Sequence, residues 1–295
     1  MKALLAATLA LGMLLGASIG FAMPIKLSLA PAGITGAHDS VTGAFDQMQF
    51  YAETTSTSIN GGGAPVVGST FSDIGDMYIT TLLTTADHEG LNFPVEPFFT
   101  GYEITGRWEN LGGTIAGVAI DPATNRMTYN YNYSTGTLPL YAQAGAEVAS
   151  NEALAFGSTL GSDDDNVAMF TNGTQVAIFE IVSGTGSLTF DMLSGNLLSG
   201  STELTWQVTS ALPGFWLDSL GTDLSPYVSM GWLFATNDSN TDNLTAEVVG
   251  DNLLIRSNHD GSVEVYASVP EPSTLLLLGG GLLGLAALGR RRMKS

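Results

Sequence analysis

Residues 126–133 read Arg-Met-Thr-Tyr-Asn-Tyr-Asn-Tyr, an alternation suited to an extended backbone. In a strand, successive side chains leave on opposite faces. Met127, Tyr129, Tyr131 and Tyr133 therefore share one face, and Arg126, Thr128, Asn130 and Asn132 share the other. A helix would scatter both sets around its circumference. The preceding residues 114–120 also suit a strand, and Asp121-Pro122-Ala123-Thr124-Asn125 supplies the turn chemistry of a hairpin between the two. Helical periodicity is weak throughout residues 23–269, where period-2 segments between turn residues dominate.

The same reading gives a second hairpin, residues 175–182 and 187–193, turning at Ser183-Gly184-Thr185-Gly186. A third joins residues 244–249 to 253–257 through Gly250-Asp251-Asn252, and Asn258-His259-Asp260-Gly261 then turns into residues 262–267. Residues 47–55, 77–83, 101–108 and 203–209 complete the expected strands. Residues 56–69 read as a long loop, and residues 144–155 and 214–220 as short helical turns. Many short strands with Gly, Asn and Asp turns predict an all-β ectodomain, an antiparallel β-sandwich or jelly roll. No internal repeat or linker divides it.

Composition narrows the chemistry. Residues 23–269 hold four basic residues, Lys26, Arg107, Arg126 and Arg256, against 27 acidic ones, a net charge of −23. A surface this acidic repels nucleic acid and attracts cations or basic partners. Cysteine is absent from the 295 residues, which excludes disulfides, zinc–thiolate sites and a cysteine nucleophile.

The two ends differ in kind from the middle. Met1-Lys2, an apolar run to Leu15 and small residues before Met23 follow the grammar of a secretory signal peptide over residues 1–22. At the other end, Pro270-Glu271-Pro272 precedes an apolar run of residues 274–289, and Arg290, Arg291 and Arg292 follow it. That run would span roughly 24 Å as a helix, slightly short of a hydrocarbon core of about 30 Å. The basic cluster would hold the C-terminus in the cytoplasm and leave the middle outside the inner membrane. Two prolines keep the tripeptide extended and unpaired, open to a protease.

Residues 270–295 resemble the PEP-CTERM sorting signal of Gram-negative bacteria, with tripeptide, Gly/Leu-rich span and Arg cluster in order. The resemblance implies an exosortase as processing partner, recognition through Pro270, Glu271 and Pro272, transient anchoring in the inner membrane and delivery to the cell surface or extracellular matrix. A looser resemblance to floc-associated PEP-CTERM proteins rests on Phe45-Asp46-Gln47 with Tyr51, Gly75-Asp76-Met77-Tyr78, and Gly90-Leu91-Asn92 with Tyr102-Glu103-Ile104. It implies association with exopolysaccharide in biofilms or flocs.

Candidate binding chemistry sits in two acidic runs and one aromatic row. Asp238, Asn240 and Asp242 place oxygen side chains at alternate positions, as calcium loops do, but Asn243 and Val249 depart from the EF-hand pattern. Asp163 and Asp165 form a second acidic run. Either holds Ca²⁺ or is a solvated turn, and no other cofactor is expected. Tyr129, Tyr131 and Tyr133, read as a half-exposed row, would stack on sugar rings or pack in a core. The same choice applies to Trp108, Trp206, Trp216 and Trp232. His38, His88 and His259 read as loop or surface residues. No Gly-x-Ser-x-Gly, His-Glu-x-x-His or Walker sequence is present, so no catalytic residues are assigned. The expectation is a non-enzymatic surface or matrix protein. A secreted carbohydrate- or calcium-binding module is the alternative, ahead of a secreted hydrolase.

Overall fold

A computed structural model describes residues 24–35, 41–59, 64–83, 101–145, 147–151, 166–230, 233–249 and 252–267. Eleven strands dominate these residues. In chain order they are β1 Ile25–Leu27, β2 Gln47–Ile59, β3 Thr70–Leu83, β4 Tyr102–Asp121, β5 Arg126–Thr135, β6 Thr137–Ala144, β7 Thr174–Asp191, β8 Leu197–Ala211, β9 Trp216–Asp218, β10 Leu233–Val249 and β11 Asn252–Ala267. Two short helices, α1 Glu147–Ser150 and α2 Val167–Thr171, lie between β6 and β7.

Nine strands form one antiparallel sheet whose order is β3-β2-β11-β10-β8-β7-β5-β4-β6. A further pairing of β3 with β4, Thr70 opposite Thr114, closes it into a ring. β5 and β6 act as one bent stave, since both pair with β4 on one side and β7 on the other. The bend falls at Gly136, whose φ is 142°. A Cβ there would lie 2.7 Å from the Cα of Leu111, so the position demands glycine. The result is an eight-stave, up-and-down closed barrel. The expected sandwich or jelly roll is corrected accordingly. Both of those keep sheet edges, whereas here β2 and β11 pair from Gln47–Glu264 to Ile59–Asn252 and, among the described residues, leave the nine-stranded sheet no free edge.

Two predicted turns are strand interiors. Ser183-Gly184-Thr185-Gly186 lies within β7, and residues 258–261 lie within β11. The first has a steric reason. Tyr131 pairs with Gly186 and Tyr133 with Gly184. A Cβ on Gly186 would meet the Tyr131 ring at 2.3 Å. The glycines make room for rings from the neighbouring strand. The hairpin of β4 and β5 forms as read, with Asp121 opposite Arg126. Its turn is pinned where Asp121 Oδ1 accepts from the Ala123 amide at 3.0 Å and Oδ2 accepts from the Thr124 hydroxyl at 2.6 Å. The expected helical turn over residues 214–220 is instead a turn leading into β9, which pairs with β1.

One end of the barrel is filled. Ile25, Leu27, Phe45, Phe215 and Trp216 are fully buried there. Trp216 donates its indole N–H to the carbonyl of Val176 at 2.8 Å and sits edge-on to Phe179. On the outer wall, α1 and α2 cover β3 and β4. The carboxylate of Glu103 accepts from the amides of Glu147 and Val148 and from the amide group of Gln143, and Thr105 donates to the carbonyl of Phe170. Asp76 and Arg107 pair at 2.5 Å on the same wall.

The alternating face predicted for β5 is turned the opposite way to a membrane barrel. Tyr129, Tyr131 and Tyr133 are buried, while Arg126, Asn130 and Asn132 are exposed. Barrels that cross membranes carry the apolar set outside. Among the described residues, no helix is long and apolar enough to cross a membrane. Residues 1–22, expected to be a signal peptide, and the segment 268–295 lie outside the described residues.

Candidate functional site: the open end of the barrel

The β2–β3, β4–β5 and β7–β8 connections all lie at the end opposite the filled one. There the staves enclose a cavity of about 420 Å³. Its walls come from β2, β3, β4, β5, β7 and β11. Phe71 stands edge-on to Tyr131 and Tyr133, with ring centroids 5.8 and 5.1 Å apart, and Tyr129 stands edge-on to Phe190 at 6.1 Å. The tyrosine row thus faces inward as part of an aromatic lattice, and the expectation of a half-exposed sugar-stacking row is corrected. Trp108, Trp206 and Trp216 are buried core residues, and Trp232 lies outside the described residues.

Polar groups gather on the inner side of this cavity. Thr54 of β2 and Ser257 of β11 share a hydrogen bond at 2.9 Å. The Nε2 of His259 lies 3.1 Å from the Thr54 hydroxyl and 3.0 Å from that of Ser257. His259 is therefore a barrel-wall residue and not part of a surface turn. Desolvation brings its imidazole down to about pKa 4, so it is neutral at physiological pH. His38 and His88 lie outside the described residues.

Thr54, Tyr133 and His259 also border a second, deeper cavity of about 60 Å³. Asp73 stands in its wall, 2 % exposed. Tyr133 donates to its Oδ2 at 2.5 Å, and Ser56 supplies another hydrogen bond. Burial nevertheless raises the carboxyl to about pKa 6, because no cation offsets the desolvation of its charged form. Among the described residues, its Oδ1 has no hydrogen-bond partner, and neither does the indole N–H of Trp108 across the same cavity wall. Tyr131 donates to, or accepts from, the Thr202 hydroxyl at 2.9 Å, and burial pushes its phenol up to about 12.

The other sequence candidates lie elsewhere. Asp238, Asn240 and Asp242 belong to β10 and not to a loop, with Asp238 opposite Glu203 and Asn240 opposite Ser201. Asp163 and Asp165 lie outside the described residues. Among the described residues, no three His, Asp or Glu side chains converge as a metal site. The residues that matter most here, Thr54, Asp73, Ser257 and His259, carried no motif. The alternation Ile255, Ser257, His259 was a usable signal, hidden by reading Asn258–Gly261 as a turn.

Comparison with known proteins identifies a PEP-CTERM protein-sorting motif at residues 268–292. No curated protein matches the chain. Two solved structures of Ail, the attachment invasion locus protein of Yersinia pestis, are similar at a low level. The complex of Ail with the heparin analogue sucrose octasulfate is 5 % identical, covering 75 % of this chain and 99 % of Ail, with a TM-score of 0.16. Ail by itself is 4 % identical over the same shares, with a TM-score of 0.15. Similarity this slight adds nothing to the description of the barrel.

Proposed function

From a chain that carries a PEP-CTERM sorting motif, the mark of an exosortase-processed surface protein of Gram-negative bacteria, we propose a non-enzymatic matrix protein retained among exopolysaccharides in biofilms or flocs. The observation that carries this reading is the motif itself, at residues 268–292, behind an acidic all-β domain. In this reading residues 1–22 direct export and are removed. Residues 274–289 hold the chain in the inner membrane until an exosortase acts near Pro270-Glu271-Pro272, and Arg290, Arg291 and Arg292 keep the tail on the cytoplasmic side. The alternative, a calcium-binding module, would use the acidic run of Asp163 and Asp165 or the row of Asp238, Asn240 and Asp242.

The polar outer wall supports a role in a hydrated matrix. Asn130 and Asn132 alternate outward along β5, and the strongly negative surface resists collapse onto itself. Intact mass of the protein recovered from the cell surface tests the processing. Loss of residues 1–22 and of the tail beyond about Pro272 is expected. A species that keeps residues 274–295 overturns it. Replacing Pro270-Glu271-Pro272 by alanines is expected to strand the protein in the inner-membrane fraction and reduce its recovery with extracellular polysaccharide.

A further inference from the structure

The open-end cavity has the make-up of a ligand chamber, independent of how the chain is sorted. Eight-stave barrels are just wide enough inside either to be filled by side chains or to hold one small ligand. This barrel does both, at opposite ends. Its open half leaves about 420 Å³, within the range of small-molecule pockets. Hydrophobic side chains alone do not explain that volume, because interiors normally close to near-crystalline density.

Three features define what fits. The walls are aromatic and aliphatic, led by Phe71, Tyr129, Tyr131, Leu188 and Phe190. The inner side presents hydroxyls and an imidazole, Thr54, Ser257 and His259, able both to donate and to accept. Behind them, Asp73 Oδ1 and the Trp108 N–H are a buried acceptor and a buried donor with no partner among the described residues. Among the described residues, no Lys or Arg lines either cavity, and Asp191 stands at the entrance. An anion would therefore be repelled, and a cation would bury its charge against hydroxyls with Asp73 already engaged by Tyr133. The entrance itself is apolar. Val66, Val67 and Leu193 are exposed on the β2–β3 and β7–β8 connections beside Pro65 and Met192 of the lining.

The geometry points to a binding site for an uncharged, compact, ring-bearing molecule with one hydroxyl, its apolar body among Phe71, Tyr129 and Phe190 and its hydroxyl toward Thr54, Ser257 and His259. A hydroxyl matches the polar side because it donates and accepts at once. An apolar ring matches the walls because edge-to-face contacts with the phenols remain available to it.

The test is calorimetric titration of the full chain with four ligands sharing one ring system: naphthalene, 2-naphthol, 2-naphthoate and 2-naphthylmethylamine. One 2-naphthol per chain is expected, about 10-fold tighter than naphthalene, with the amine at least 10-fold weaker than the alcohol and no detectable naphthoate binding. Leu188→Trp and Met127→Trp, which fill the chamber from two staves, are expected to abolish binding while leaving the unfolding midpoint within a few degrees. Ser257→Ala is expected to remove the preference for naphthol over naphthalene while keeping naphthalene affinity. Non-saturating uptake, equal binding by both tryptophan variants when folded, or tighter binding of the amine overturns the proposal. If both tryptophan variants fail to fold, the naphthol-to-naphthalene ratio in Ser257→Ala decides it.

Discussion

The two ends of the barrel use similar side chains to opposite effect. At the filled end, Phe45, Phe215 and Trp216 are delivered by segments outside the staves and pack to zero exposure. At the open end, Phe71, Tyr129, Tyr131 and Phe190 come from the staves themselves and hold one another upright around a cavity. The difference lies in the connections. The segments before β2 and around β9 bring Phe45, Phe215 and Trp216 inward at one end, whereas at the other the described connecting residues 64–69, 122–125 and 192–196 contain no aromatic ring. Aromatic content alone therefore does not determine whether a barrel interior is core or chamber.

The comparison is broken most directly by truncating one ring at each end. Trp216→Ala is expected to cost about 4 kcal/mol, since it removes a fully buried ring and its hydrogen bond. Tyr129→Ala, beside an existing cavity, is expected to cost only about 2 kcal/mol. Denaturant midpoints of the two variants should separate clearly, and equal losses would mean that the open end is as tightly packed as the closed one.

A pH series sharpens the contrast from inside. Asp73 has its carboxyl raised to about 6 in the folded state, so the fold holds that proton more tightly than the unfolded chain does. This contribution is present below about pH 4 and is lost as pH rises toward 6. Asp73→Asn, which keeps an acceptor for Tyr133, is expected to stabilise the protein at pH 8 by on the order of 3 kcal/mol and to change little at pH 3.5. His259 acts in the other sense. Its lowered pKa means stability is full above about 6.5 and falls as pH drops toward 4, so His259→Gln should flatten the acid limb of the curve.

Comparable and smaller effects are expected at the glycines. Gly136→Ala drives a Cβ into the backbone of Leu111 at an unfavourable φ and should cost about 3 kcal/mol. Gly186→Ala meets only the far end of the Tyr131 ring, which can give way into the chamber, so about 1 kcal/mol is expected. The smallest effect belongs to Thr124→Ala. It removes one exposed turn hydrogen bond to Asp121 and should lower stability by about 0.5 kcal/mol by thermal unfolding.

These positions also mark where the sequence was readable. The β4–β5 hairpin was legible because alternation and turn chemistry agreed over a few residues. Gly184 and Gly186 misled because their purpose is to receive Tyr131 and Tyr133, a relation between strands about 50 residues apart in sequence. His259 was misplaced for a similar reason. A run of Asn, His, Asp and Gly has turn composition, yet its neighbours in space are Glu53, Ala52, Tyr51 and Phe50 on β2. Closure itself was illegible, because it depends on β11 finding β2 across some 200 residues, which no local pattern records. The exclusions from composition concerned chemistry and not shape, and the alternating tyrosines were seen without the knowledge of which way they faced.

The pairing of first and last staves has a mechanical consequence. Gln47 lies opposite Glu264, so β2 begins and β11 finishes beside each other at the filled end. The end of β11 thus lies at the base of the barrel, with the opening some 30–40 Å away along tilted strands. A load applied to the end of β11 would act first on the margin where it meets β2, peeling it one rung at a time. The chamber would be the last part of that seam to feel the pull.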